Sequence, residues 1–252
     1  MLTFRLIARL DIRNTRLIKT VRCEGVRPVG DPAEYARRYD KEGIDEILYL
    51  DVVASLYGRS GLYDLLDRTT LDVFTPVTAG GGIRSVADAG KLLRSGADKI
   101  AVNTGAIKRP ELITELAEKF GSQAVVVQID AKRKGNGWEA YCDGGREATG
   151  RDCLVWAREA VWRGAGELLV TSIDREGTGH EYDLALGFRL CSDIGIPIVL
   201  SGGFGRAEHA VDAAKLGVSG IAIAGALHYD RVKLRDIREA LHRANIPVRL
   251  AA

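Results

Sequence analysis

Leu10-Asp11 ends one short apolar run of the chain, and Ile129-Asp130 ends another 119 positions later. Three further pairs of segments recur with an offset of 121: Thr78-Ala-Gly-Gly-Gly82 with Leu200-Ser-Gly-Gly203, Ala101-Val-Asn-Thr104 with Ala222-Ile-Ala-Gly225, and Glu46-Ile-Leu48 with Glu167-Leu-Leu169. A repeat of this size indicates two similar half-structures that face each other. We therefore predict one domain over residues 1–252, built from halves at about 1–120 and 121–252.

Short apolar runs alternate with amphipathic helical stretches along the whole chain. Eight runs are predicted strands: 4–10, 46–50, 77–79, 99–102, 124–129, 167–171, 198–200 and 220–223. The predicted helices are 32–42, 62–71, 85–95, 110–120, 151–163, 183–193, 207–216 and 232–244. Eight βα units are typical of an α/β fold of the (βα)8 TIM-barrel type. An open doubly wound sheet is the alternative, and the internal repeat favours the closed barrel.

The composition narrows the classes of function. A net charge of +2 argues against a nucleic-acid-binding surface, and no apolar run approaches the ~18 residues of a membrane span. The four cysteines lack C-x-x-C spacing, and His180, His209, His228 and His242 lack metal-ligand spacing. We expect reduced thiols, histidines at the surface or in loops, no metal, no cofactor and a cytoplasmic location.

Asp11 and Asp130 fall at the carboxyl ends of predicted strands 1 and 5, which are diametrically opposed in an eight-stranded barrel. The active sites of such barrels lie at this rim. A single Asp there usually caps a loop or pairs with a neighbouring base. Two acids at equivalent strand ends are typical of general acid–base catalysis, provided that their environments separate their pKa values. We predict that they are the catalytic pair, with the acid and the base unassigned.

Small residues follow five of the predicted strands. Backbone N–H groups approach an anion closely where side chains are small. One such turn is weak evidence, but a cluster in each half predicts two phosphate sites on opposite sides of the mouth, with the aspartates between them. The residues concerned are Gly80-Gly-Gly82, Asn103-Thr104, Gly177-Thr178, Gly202-Gly203 and Ala224-Gly225.

The starts of the strands also carry charge. Arg5, Glu46, Lys99 and Glu167 lie near the starts of predicted strands 1, 2, 4 and 6. One interpretation is a solvated rim. The other is a ring of alternating charge across the floor of the barrel, since buried charges must pair.

Two connections are longer than simple turns. Residues 12–30 are rich in basic side chains, Lys19 among them, and we predict either a lid over a phosphorylated ligand or a solvated loop. Residues 131–150 contain Lys134-Gly-Asn-Gly137 between alternating polar and apolar residues, which predicts a hairpin.

These segments together resemble the HisF family, the cyclase subunits of imidazole glycerol phosphate synthase, essentially from end to end. Residues 121–123 and 129–132 fit the cyclase better than the related isomerase of the same pathway. The matching stretches are 10–12, 29–32, 78–84, 96–104, 120–123, 129–132, 164–167, 171–178 and 201–203.

The resemblance implies a role in histidine biosynthesis. Ammonia from a glutaminase partner, bound as a heterodimer, would travel up the barrel and attack a bis-phosphorylated substrate, phosphoribulosyl-formimino-aminoimidazole carboxamide ribotide. Asp11 and Asp130 match the catalytic pair, the four floor charges match an ammonia gate, and Asp98 matches a position that faces the glutaminase. The implied substrate-binding residues are Lys19, Gly82, Asn103, Thr104, Thr171, Gly177, Gly202, Gly203, Ala224 and Gly225.

The chain also departs from the family pattern. Ala8-Arg9 stands where Pro-Cys is usual, Asn14-Thr15 replaces Asp-Gly, Gly179-His-Glu181 replaces a Lys/Ser-Gly pattern, and Phe204 replaces a small residue. Such changes resemble HisF-like paralogues found with surface-polysaccharide genes, which implies an alternative role in delivering ammonia for amidine formation on a sugar. A non-catalytic scaffold for the glutaminase is a third hypothesis, and retention of both aspartates argues against it.

Overall fold

The structure, a computed structural model, describes residues 3–54 and 62–249. The strands in these ranges are β1 (Arg5–Arg13), β2 (Arg16–Val21), β3 (Glu24–Gly30), β4 (Glu46–Asp51), β5 (Val77–Gly80), β6 (Lys99–Val102), β7 (Val125–Lys134), β8 (Gly137–Cys142), β9 (Glu147–Asp152), β10 (Glu167–Ser172), β11 (Ile198–Ser201) and β12 (Gly220–Ile223). The α-helices there are α1 (Pro32–Lys41), α2 (Leu62–Thr69), α3 (Val86–Arg94), α4 (Thr104–Lys108), α5 (Glu111–Phe120), α6 (Cys153–Trp162), α7 (Leu184–Asp193), α8 (Glu208–Lys215), α9 (Gly225–His228) and α10 (Leu234–Arg243).

Eight parallel strands form a closed ring. They pair in the order β10-β11-β12-β1-β4-β5-β6-β7, and β7 pairs with β10 to complete the barrel. The short strands are buried on both faces because helices cover the outside and side chains fill the inside. The predicted (βα)8 fold is confirmed. No helix in the described ranges is long and apolar enough to cross a bilayer.

The segment 12–30 folds into antiparallel strands, so the prediction of a solvated loop there was wrong, and the alternative of a lid over a phosphorylated ligand stays a prediction. β1 continues beyond Asp11 and pairs with β2 in antiparallel fashion, and β2 pairs with β3. Arg22 and Cys23 both have positive φ (53° and 62°), as a tight two-residue hairpin turn requires. The basic side chains concealed the strand pattern, although Leu17 is fully buried. The hairpin predicted after strand 5 is confirmed as the continuation of β7 into β8.

Two short helices were not predicted. α4 begins directly after β6, and α9 begins directly after β12, so both start at the mouth of the barrel. Each is too short to show the 3.6-residue periodicity from which the other helices were predicted.

The barrel interior is layered because alternate residues of each strand point inwards. Arg5, Ile7 and Arg9 of β1 occupy successive layers. The middle layer is apolar and separates a charged floor from a polar mouth. The apolar cluster that includes this layer is formed by Ile7, Leu48, Leu50, Ala101, Val126, Leu169, Val199 and Ala222, of which Leu50 and Ala101 also line the mouth cavity.

Equivalent aspartates cap the helices that begin the two halves of the barrel wall. Asp31 accepts hydrogen bonds from the backbone N–H groups of Ala33 and Glu34 at the start of α1. Asp152 does the same for Leu154 and Val155 at the start of α6.

We expect Asp31→Ala to lower the free energy of unfolding by about 1 kcal/mol, because two amide groups lose their acceptor. The midpoint of urea unfolding checks this. Asp31→Asn, which keeps an acceptor oxygen, is the control and should stay near the wild type. An equal loss in both variants would contradict a capping role.

Candidate active site

The two predicted acids lie across the mouth of the barrel. Asp11 is on β1 and Asp130 is on β7, four strands away in either direction around the ring. Their side chains are deeply buried, with 3% and 2% of each residue exposed. Both line one cavity of about 260 Å³. The fold thus brings the two carboxyl groups to a single site.

Arg9 projects into this mouth beside Asp11. Its Nε donates a hydrogen bond to Asp11 Oδ1 at 2.9 Å, and its Nη1 donates to Thr171 Oγ1 at 2.8 Å and Ser201 Oγ at 3.0 Å. Burial opposes the charge of Arg9, but the carboxylates of Asp11 and Asp130 raise its pKa above the usual value. A guanidinium ion is therefore fixed next to Asp11, and Thr171, predicted to bind substrate, is one of its anchors.

Neutral donors surround Asp130. Gln128 Nε2 donates to Asp130 Oδ1 and Asn103 Nδ2 donates to Oδ2, each at 2.9 Å. Burial raises the pKa of Asp130, against the smaller effects of these hydrogen bonds and of Arg9. Asn103, predicted to bind phosphate, lines the cavity and contacts this carboxyl group. Its own Oδ1 is buried and has no hydrogen bond among the described residues.

Two pockets meet at the mouth, and Arg9, Asp11 and Thr20 line both of them. The first-half pocket is the cavity of about 260 Å³, whose wall includes Gly82, Asn103, Thr104, Arg84, Lys108, Arg109 and Arg146. The second-half pocket is about 310 Å³, and its wall includes Lys19, Arg27, Gly177, Gly202, Gly203, Ala224, Gly225 and Arg231. Each pocket thus combines small residues with several cations, which suits a ligand that is anionic at both ends.

Glycine is required at the turn after β11. Gly202 and Gly203 have φ values of 90° and 110°, and an added Cβ would collide with the backbone carbonyl groups of Ser172 and Glu181. The backbone itself therefore forms the wall of the second-half pocket at this turn.

Lys19 joins the β2–β3 hairpin to the barrel. Its Nζ forms an ion pair with Glu176 and donates to the Thr20 carbonyl oxygen at 2.7 Å. Glu176 also accepts from the Cys23 backbone N–H at 3.0 Å. Burial lowers the pKa of Lys19 to about 8. Sequence reasoning missed Glu176, although it lies within the family-like stretch 171–178.

The four charges at the strand starts form a closed ring on the floor. Arg5 binds Glu46 at 2.9 Å and Glu167 at 2.7 Å, and Lys99 binds the same two carboxylates at 2.8 and 2.9 Å. Thr78 Oγ1 donates to the other oxygen of Glu46 at 2.5 Å. Although burial acts in the opposite direction, Arg5 and Lys99 lower the pKa of Glu167. The ring interpretation is thus correct and the solvated rim is excluded.

Comparison with known proteins shows which family the chain resembles. A family model described as histidine biosynthesis protein matches residues 5–233. The chain is 46% identical over 250 residues to imidazole glycerol phosphate synthase subunit HisF of Gluconacetobacter diazotrophicus, covering 99% of this chain and 97% of the relative. It is 44% identical over 250 residues to the HisF of Thermococcus gammatolerans, covering 99% of both chains. The HisF of Legionella pneumophila is 55% identical over 205 residues, or 81% of this chain and 97% of the relative.

The chain belongs to the HisF family. Its relatives are subunits of a synthase, so a HisF chain is one part of an enzyme complex.

Phe204, which the resemblance implied replaces a small residue, lies in the wall of the second-half pocket. Its ring packs against Tyr182 and His209, with centroids 6.1 and 6.2 Å apart. Only 8% of Phe204 is exposed. The ring therefore belongs mainly to the core, and its edge forms part of the pocket wall.

Two histidines are buried, so the expectation that all four lie at the surface or in loops was wrong. His209 lies in α8 and His228 in α9, with 5% and 3% exposure. His228 Nδ1 is hydrogen-bonded to Tyr39 Oη at 2.7 Å, and burial lowers the pKa of His228 to about 4. The spacing of the histidines along the chain argues against a metal site but does not indicate whether a histidine is buried. His180 and His242 are exposed.

Asp98 lies at the opposite end of this HisF barrel from the acids. It is exposed and directly precedes Lys99 of the floor ring. Its Oδ2 accepts a hydrogen bond from the Val77 backbone N–H at 2.8 Å, which fixes it between β5 and β6.

We expect Asp130→Asn to stabilise the protein near neutral pH. Burial raises the pKa of folded Asp130 above 3.8, so the folded state binds the proton more tightly and loses stability as the pH rises through this range. The gain from Asn should therefore appear above about pH 4 and level off above the raised pKa. Each pKa unit corresponds to about 1.4 kcal/mol, and each kcal/mol to about 2–4 °C in Tm.

Asp11→Asn is the matched variant and should have the opposite effect. It leaves the buried Arg9 guanidinium without its carboxylate, which costs about 3–5 kcal/mol. Thermal unfolding of both variants across the pH range checks the pair. Destabilisation by Asp130→Asn near neutral pH would contradict a raised pKa of Asp130.

Proposed function

We propose that the chain is the cyclase subunit of imidazole glycerol phosphate synthase. It would use ammonia to convert phosphoribulosyl-formimino-aminoimidazole carboxamide ribotide into imidazole glycerol phosphate and aminoimidazole carboxamide ribotide, in histidine biosynthesis. The observation that carries this proposal is the meeting of two cation-rich pockets at Asp11, with Asp130 in the first-half pocket. The substrate has a phosphate at each end, and its reacting centre lies between them.

The two pockets would orient the bis-phosphorylated substrate. With one phosphate in each pocket, the ribulosyl carbonyl lies at the mouth beside the two acids. Fixing the reacting groups in this way removes a large entropic part of the barrier. Ammonia adds to the carbonyl, whose oxygen leaves as water. The new nitrogen then closes the imidazole ring at the formimino carbon, and the bond from that carbon to the carboxamide ribotide nitrogen breaks. Asp11 and Asp130 transfer the protons that these steps require.

Ammonia would pass through the barrel interior from the floor to the mouth. The floor ring of Arg5, Glu46, Lys99 and Glu167 acts as its gate. Above the ring, the apolar layer tolerates neutral ammonia and disfavours the ammonium ion, because an unpaired charge is costly to bury. The nucleophile would therefore reach the mouth in its reactive, uncharged form.

A glutaminase subunit is the proposed source of the ammonia, bound to the floor as a heterodimer. Three large apolar side chains are exposed in segments that lead from a helix to the start of the next strand. These segments lie at the floor end of the barrel, where Asp98 also lies. Leu71, Phe74 and Trp162 are 76%, 87% and 79% exposed. Exposed aromatic residues of this kind supply much of the affinity of protein interfaces.

The first test is turnover of the bis-phosphorylated substrate by the purified chain with ammonium salt and no partner. We expect loss of substrate together with release of the carboxamide ribotide. Asp130→Asn should reduce kcat by about 10²–10⁴-fold, because a positioned acid–base group is removed. An unaffected rate in this variant would refute the proposed role of Asp130.

One observation favours a second candidate function. Arg9, where the family resemblance implies Cys, lines both pockets, so its guanidinium lies in the mouth that one ligand would have to span. Ammonia delivery for amidine formation on a sugar does not require one ligand to occupy both pockets. Absence of turnover by the folded chain, under conditions in which another HisF protein is active, would support this candidate.

The proposed contact surface for the glutaminase, formed by Leu71, Phe74 and Trp162, can be tested separately. Phe74→Glu should weaken binding to the glutaminase by about 2 kcal/mol, or roughly 30-fold in Kd, and should leave turnover with ammonium salt unchanged. Phe188→Glu is the control, since Phe188 is exposed on α7 at the flank of the barrel. Equal affinities for both variants, measured by calorimetry, would exclude Phe74 from the interface.

A further inference from the structure

The guanidinium group of Arg9 is fixed in the mouth by side chains from three strands. Its Nε donates to Asp11 Oδ1 of β1 at 2.9 Å. Its Nη1 donates to Thr171 Oγ1 of β10 at 2.8 Å and to Ser201 Oγ of β11 at 3.0 Å. Only 7% of Arg9 is exposed. A donor that is held in this way needs no rearrangement when charge develops on a ligand beside it.

One nitrogen of this guanidinium group remains available. Nη2 has no hydrogen-bond partner among residues 3–54 and 62–249, which the structure describes. Unlike the unpartnered polar atoms that the core encloses, it keeps some exposed surface. Arg9 lines both the first-half and the second-half pocket. The N–H groups of Nη2 are therefore open to a ligand at the place where the two pockets meet.

The charges around Arg9 determine which ligand group fits its open edge. Asp11 already forms an ion pair with Arg9, and Asp130 lines the same cavity. A third anion would lie beside two carboxyl groups and next to a cation whose charge is already compensated, which is unfavourable. The oxygen of a neutral carbonyl group would accept the hydrogen bond without that repulsion.

Other donors at the mouth are directed elsewhere. Gln128 Nε2 and Asn103 Nδ2 each donate to Asp130. Lys19 has a carboxylate partner of its own. The family resemblance implies Cys in place of Arg9, and a thiol is only a weak donor. The open edge of Arg9 is therefore a feature of this chain that the resemblance does not supply.

We propose that Arg9 is a catalytic residue whose Nη2 donates a hydrogen bond to the ribulosyl carbonyl oxygen and stabilises the charge that develops there. Its place in the reaction rests on the proposed function, which puts one phosphate in each pocket and the carbonyl group between them. Arg9 activates the carbonyl group that ammonia attacks, whereas the aspartates transfer protons.

The contact strengthens as ammonia adds. The lone pair of ammonia forms the new C–N bond, and the π electrons of the carbonyl group move onto its oxygen. The hydrogen bond from the guanidinium ion to this oxygen then joins two charged groups and becomes stronger. The new ammonium nitrogen carries the opposite charge, so no net anion enters the mouth. Transfer of one proton from this nitrogen to the oxygen gives a neutral carbinolamine, and Arg9 keeps its protons throughout.

The first test uses the wild-type chain and substrate labelled with carbon-13 at the ribulosyl carbonyl carbon. Ammonia is left out so that the substrate binds without turnover. A hydrogen bond from a cation draws electron density from the carbonyl carbon, so we expect its NMR signal to move downfield on binding. A bound signal at the position of the free substrate would overturn the proposal, and this measurement needs no variant.

Arg9→Cys and Arg9→Lys test the assignment to Arg9. Cysteine removes the strong donor, whereas lysine keeps a cation but loses the planar fork. We expect Arg9→Cys to abolish the downfield shift and to lower kcat about 10²-fold, with a smaller effect on KM. Arg9→Lys should lie between Arg9→Cys and the wild type. Circular dichroism shows that each variant is folded.

The outcomes separate a catalytic contact from the alternatives. A downfield shift that persists in folded Arg9→Cys, or a fall in rate with an unchanged carbonyl signal, would overturn the role of Arg9. Faster turnover by Arg9→Cys would also overturn it and would show that Arg9 obstructs the mouth. Turnover by the wild type with an unshifted bound signal would refute this role and leave the proposed function intact. Absence of substrate binding would refute the proposed function and, with it, the contact to the carbonyl group.

Discussion

The pairing of β7 with β10 is the constraint on which the whole site depends. Six register pairs, from Glu167 with Val126 to Ser172 with Ala131, close the barrel at this seam. Closure puts Thr171 beside Asp130 in register and within reach of Arg9 from β1. In an open sheet, β1 and β7 would lie apart, and Asp11 and Asp130 would not face a common cavity. Because the ring has eight strands, the two halves of the repeat face each other across its axis.

The alternation of a strand turns this closure into a layered interior. On β1, Arg5 lies in the floor ring, Ile7 in the apolar layer and Arg9 in the mouth, because every second residue points inwards. Charges persist in such an interior only when they are paired. The carboxylates of Glu46 and Glu167 pair with Arg5, and Asp11 pairs with Arg9. The apolar layer separates the charged floor ring from the charged groups at the mouth. The two sets of charges can therefore serve different functions.

The repeat makes two acids equivalent in geometry, and their neighbours make them different in chemistry. Acid–base catalysis by the pair, as proposed, needs surroundings that differ between the two acids. Backbone symmetry alone provides two identical carboxyl groups. The exchange of a neutral donor for a guanidinium ion at one of two matching positions is enough to break that symmetry. Arg9 therefore makes the surroundings of Asp11 unlike those of Asp130.

The sequence by itself determined the eight barrel strands, the eight longer helices and the position of each acid at a strand end. Strand and helix patterns are written in neighbouring residues, and the internal repeat favoured the closed barrel over an open sheet. Only the tertiary structure decided what each side chain contacts. The partners of Arg9 lie 162 and 192 residues away, and the hairpin at 16–30 and the burial of His209 and His228 went unpredicted. Burial and pairing depend on which distant segments meet, and folding alone brings those segments together.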